Sequence, residues 1–99
     1  MRVLLATHLY PPRHTAGVEV FASATGAHVA AAGHEVIVVT TEKDIAQPDL
    51  STREREHGGL RVIEVINNLF AQTFEETWRR PAMDRVLAGV LDDVRPDVV

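Results

Sequence analysis

Three features of the sequence predict an α/β fold, an open parallel sheet with flanking helices. A short apolar run enters a turn-rich loop, a proline-free helical segment follows, and a nearly continuous β-branched run comes next. Strand, helix and strand in that order make a βαβ unit, whose crossover is right-handed and whose two strands run parallel.

Val3-Leu4-Leu5-Ala6 is the first strand. It ends at Tyr10-Pro11-Pro12-Arg13-His14-Thr15-Ala16-Gly17, the pattern of a buried strand entering a loop. From Val18 to Ala32 there is no proline and much alanine. Phe21, Thr25, Val29 and Ala32 recur at three- or four-residue spacing, which predicts a helix that Gly33 stops. Glu35-Val36-Ile37-Val38-Val39-Thr40-Thr41 has the composition of a strand buried on both faces of a parallel sheet.

From Glu42 to Gly59 the chain is polar and charged, with Pro48 and the pair Gly58-Gly59. It reads as a long loop with room for a short edge strand. Leu60-Arg61-Val62-Ile63-Glu64-Val65-Ile66 is a third strand, closed by Asn67-Asn68, whose side chains suit turns. Pro81 suits the first position of a second helix. Met83, Val86, Leu87, Val90, Leu91 and Val94 then form an apolar stripe opposite Asp84, Arg85, Asp92 and Asp93, so this helix lies against the sheet. Arg95-Pro96-Asp97 ends it, and Val98-Val99 open another strand. A parallel sheet ending there has an unpaired edge, so residues 1–99 are expected to be an incomplete domain.

Composition bounds the function. The 99 residues are 45% hydrophobic and 24% charged, the make-up of one ordinary globular domain. The net charge of -4, with Arg53, Arg55, Arg79, Arg80 and Arg85 set among acidic residues, provides no basic field for nucleic acid. The absence of cysteine excludes a disulfide framework and a thiolate metal site, and suits a reducing compartment, the cytoplasm. No stretch has the ~20 apolar residues of a membrane span, so any membrane contact is expected to be peripheral.

In open α/β sheets the loop after the first strand lies at the carboxyl end, where ligands bind. Gly17 lets the backbone approach a ligand closely, and the helix that follows begins with free N–H groups and a positive dipole end, which favour a diphosphate. A structural turn accounts for Gly17 equally well.

Here the wording becomes specific. His8-Leu9-Tyr10-Pro11-Pro12-Arg13-His14-Thr15-Ala16-Gly17-Val18-Glu19, then Gly33-His34-Glu35-Val36-Ile37-Val38-Val39-Thr40, and finally Arg95-Pro96-Asp97-Val98-Val99 occur in this order along the chain. Together they resemble the opening of family 4 glycosyltransferases, which begin with a strand, a Pro-Pro turn, Gly-Gly-x-Glu, an amphipathic helix and Gly-His-Glu-Val. The first glycine of the family's pair is Ala16 here, and Thr25-Gly26 stands where the family usually has Leu-Ala.

The resemblance implies a GT-B fold of two Rossmann-like domains and a retaining transferase. Such an enzyme moves a sugar from a nucleotide-diphosphate sugar to an acceptor held mainly by the N-terminal domain. Residues 1–99 would be the first part of that acceptor-side domain and inactive alone. The family's Glu-x7-Glu element, its basic phosphate ligands and its active-site histidine have no counterparts in the chain. Ala16 and Gly17 would approach donor phosphate or acceptor. No cofactor is implied.

Other candidates carry competing readings. Arg13 suits phosphate or an acidic acceptor through its guanidinium fork, or is simply solvated. His8, at the end of the first strand, can face the cleft. Glu19 near the helix start complements the helix dipole, and His34 serves the turn. His14, His28 and His57 are scattered, so no metal site is expected. Phe70, Phe74 and Trp78 recur every fourth residue, either packing together or forming an acceptor-side lip. A free-standing Rossmann-like nucleotide-binding module, an NAD-type piece or a non-catalytic remnant is the alternative class. In the NAD-type reading Glu42 would hold a ribose hydroxyl, although the Gly-x-Gly-x-x-Gly spacing is missing.

Overall fold

The computed structural model describes residues 1–7, 17–68 and 80–99, with 17–19 described by backbone alone. Among the described residues six elements follow one another: β1 (Arg2–Thr7), α1 (Gly17–Ala31), β2 (Glu35–Glu42), β3 (Thr52–His57), β4 (Leu60–Ile66) and α2 (Pro81–Val94). The strands form one four-stranded sheet in the order β1-β2-β4-β3. β1, β2 and β4 are parallel neighbours, whereas β3 pairs antiparallel with β4. The architecture is a small α/β domain with a mixed, mainly parallel sheet.

The antiparallel edge strand β3 takes up the room that the polar 42–59 segment offered for a short edge strand, and corrects the expectation of a purely parallel sheet. Thr52–His57 reads Thr-Arg-Glu-Arg-Glu-His, with no apolar alternation, so hydrophobic pattern alone could not reveal it. The hairpin signal was Gly58-Gly59. Both glycines have positive φ, 59° and 79°, the backbone required at both centres of a tight two-residue hairpin turn whose twist matches the strands.

Strand alternation divides the core in two. On one face Leu4, Ile37, Val39, Ile63 and Val65 pack against Met83, Val90 and Val94 of α2, with Val86 and Leu87 alongside. On the other, Val36, Val38, Leu60 and Val62 pack against Ala22 of α1, with Leu5, Val29 and Ala30. β2 and β4 are thus apolar on both faces because a helix covers each.

The two helices meet this demand differently. α2 follows its predicted stripe except at Leu91, which is 40% exposed. Pro81 opens it, and Arg95 closes it in the left-handed conformation with φ 51°. Arg2 of β1 donates from Nη1 to the Val94 carbonyl at 2.6 Å, placing a cation on the negative end of the helix dipole.

α1 forms where the spacing predicts a helix, but of the spaced residues Val29 packs on the sheet while Phe21 is 73% exposed; the residues turned to the sheet are Ala22, Gly26, Val29 and Ala30. A Cβ on Gly26 would stand 3.1 Å from Leu60 Cδ1 and 3.6 Å from Leu5 Cδ2. The glycine, which weakens an isolated helix, therefore permits a close helix–sheet approach. Gly33, with φ 97°, makes the predicted stop and donates its N–H to the Ala30 carbonyl at 3.0 Å.

Candidate functional site at the carboxyl ends of the strands

Val98 sets the position of the site. Beyond α2 the chain returns to the outer edge of β1, where Val98 forms a parallel bridge with Val3 and Leu4 donates its N–H to the Val98 carbonyl at 2.9 Å. β1 thus has β2 on one side and the Val98 segment on the other. The helix after β1 covers one face of the sheet, and the helix before Val98 covers the opposite face. Connections that diverge in this way open a crevice at the carboxyl end of the central strand. Thr7 ends β1 at that crevice, and Gly17 begins α1 with its amino end free of intrahelical partners.

An open cleft of about 260 Å³ lies there, bounded by Ala6, Thr7, Val39, Thr40, Thr41 and Leu87. Its walls are mostly apolar, from Ala6, Val39 and Leu87. Thr7 and Thr40 border it at the strand ends, although alternation assigns their side chains to the α1 face.

On the α1 face a polar row crosses the sheet near the carboxyl ends of its parallel strands. Thr7 pairs with Thr40, Thr40 with Glu64, and Glu64 with Arg53. Glu64 is 1% exposed and Thr40 2%. A buried carboxylate needs charge and hydrogen-bond compensation. Arg53 supplies it from Nε at 3.0 Å, and Arg55 approaches the other carboxylate oxygen to 3.3 Å. Arg53 also reaches Asp44 through Nη1 at 2.8 Å, so two guanidinium groups are matched by two carboxylates. Thr40 Oγ1 is buried and has no hydrogen-bond partner among the described residues.

The rim beyond β2 and β4 is built from the segment that reads as a loop. Asn68 donates from Nδ2 to the carbonyls of Asp44 at 2.9 Å and Gln47 at 3.1 Å, and accepts the Asp44 N–H on Oδ1 at 2.9 Å. Asp49 accepts the Asn68 N–H at 2.8 Å and pairs with the Arg80 guanidinium, which also donates to Asn67 Oδ1. Arg80 and the Asn68 N–H hold the Asp49 carboxyl below the ordinary carboxylate range. Asn67-Asn68 therefore does more than close a strand; it ties the β2–β3 connection to the start of α2.

Of the residues singled out from sequence, Gly17 begins α1, and Glu42 ends β2 with Oε1 accepting the Lys43 N–H at 3.2 Å. His8, Arg13, Ala16, Phe70, Phe74 and Trp78 lie outside the described residues. Thr7, Thr40, Thr41 and Glu64 were not foreseen as part of a site. Their only signals were the Thr-Thr pair closing an aliphatic run and one acidic residue inside another. Among the described residues no three His, Asp or Glu side chains are grouped to hold a metal ion, and no helix is long and apolar enough to cross a membrane. No known family pattern, curated protein or solved structure matches the chain.

Proposed function

We propose that this chain is the acceptor-side portion of a retaining glycosyltransferase that uses a nucleotide-diphosphate sugar. What carries the reading is the coincidence of two independent features. The Pro-Pro, Gly-His-Glu-Val and Arg-Pro-Asp-Val-Val wording occurs in family order. β1, which the first of these motifs follows in sequence, ends at Thr7 at the crevice where its two neighbouring connections diverge.

In such a transfer the bond from the sugar's anomeric carbon to the donor phosphate oxygen breaks and a bond to an acceptor hydroxyl oxygen forms, with the nucleoside diphosphate as leaving group and the hydroxyl's proton passing to it. The contribution of this chain is positional. The strand ends and the amino end of α1 hold the acceptor and face the donor's negative charge, a placement that lowers the barrier by orientation and electrostatics. Groups from a facing domain are required for turnover, so the isolated chain binds without catalysing.

The test is an amide-resolved NMR titration of the folded chain with UDP-, GDP- and ADP-sugars and, separately, with NAD. Shifts at Thr7, Gly17 and Thr41 with a nucleotide sugar are expected. Saturable NAD binding without any response to nucleotide sugars would defeat the proposal and favour the nucleotide-binding alternative, which rests on the same βαβ layout and on Glu42 at the end of β2.

A further inference from the structure

We draw no further inference here: the strongest candidate, the apolar cleft that Ala6, Val39 and Leu87 form at the carboxyl ends of β1 and β2, carries nothing, because nothing in the structure shows what covers it and the Thr40 hydroxyl, without a partner among the described residues, belongs to the opposite face of the sheet.

Discussion

Arg53 on β3 stands directly across from Glu64 on β4 and donates from Nε to its carboxylate at 3.0 Å. The pair explains how an edge strand with no apolar pattern belongs to the sheet. Glu64 is buried in a strand that is otherwise aliphatic at its inward positions, and β3 brings the charge it requires.

Removing that charge while keeping the stem isolates the effect. Arg53→Met removes the Arg53–Glu64 and Arg53–Asp44 ion pairs, with Arg55 still beside the Glu64 carboxylate. Breaking a buried pair by deleting one partner is strongly destabilising, and with Arg53 30% exposed a loss of about 2–3 kcal/mol is expected. A urea titration should show a lower midpoint at unchanged slope. An unchanged midpoint would mean that the pair is as weak as an exposed one.

Thr40→Val should act in the opposite direction. The hydroxyl is desolvated without a partner among the described residues, and valine replaces it with a methyl group of similar shape. A gain of about 1 kcal/mol is expected from removing an unsatisfied buried donor. Thermal unfolding reads it directly, and a lower melting temperature would show that the hydroxyl is hydrogen-bonded in solution.

Gly26 and Gly89, both inside helices, separate propensity from packing. A Cβ at Gly89 meets nothing within 4 Å, so Gly89→Ala should stabilise by about 1 kcal/mol through helix propensity. The same change at Gly26 offers the same propensity gain but drives its methyl group to 3.1 Å from Leu60, which is 6% exposed and has little room to yield. Gly26→Ala should therefore stabilise less than Gly89→Ala, or destabilise. Equal gains in parallel denaturant titrations would disprove the close approach of α1 to the sheet.

Acid should weaken the rim through Asp49. Its carboxyl is depressed below its ordinary value of 3.8 by the Arg80 hydrogen bond first and the Asn68 N–H second. The unfolded chain therefore takes up the proton at higher pH than the folded one. The stabilisation is fully present above the unfolded value and is lost as pH falls through the depressed folded value. Asp49→Asn should lower stability near neutrality and flatten its decline below about pH 4, close to the unfolded carboxylate value. Identical pH profiles for the variant and the parent would remove Asp49 from this role.

Local pattern was sufficient for most of the scaffold. The runs at 3–6, 35–41 and 60–66 became β1, β2 and β4 because unbroken β-branched and aliphatic residues favour strands covered on both faces. Pro81 and the stripe from Met83 to Val94 marked α2, and Gly33 ended α1, because caps and helical periodicity act over only a few residues.

Relationships across the sheet were not legible in the same way. Thr52–His57 is a strand because Glu64 and the Gly58-Gly59 turn make it one, and neither effect appears in its own composition. α1 turns Ala22 and Gly26 inward rather than Phe21, because the space above β1 and β2 admits small residues and a close helix. Likewise, the crevice at Thr7 exists because Val98 returns to the far side of β1 after α2 has crossed the opposite face. Short-range sterics and hydrophobic periodicity set the elements and their order. Which faces met, which charges paired and where the strands parted depended on residues far apart in the chain, which only packing brings together.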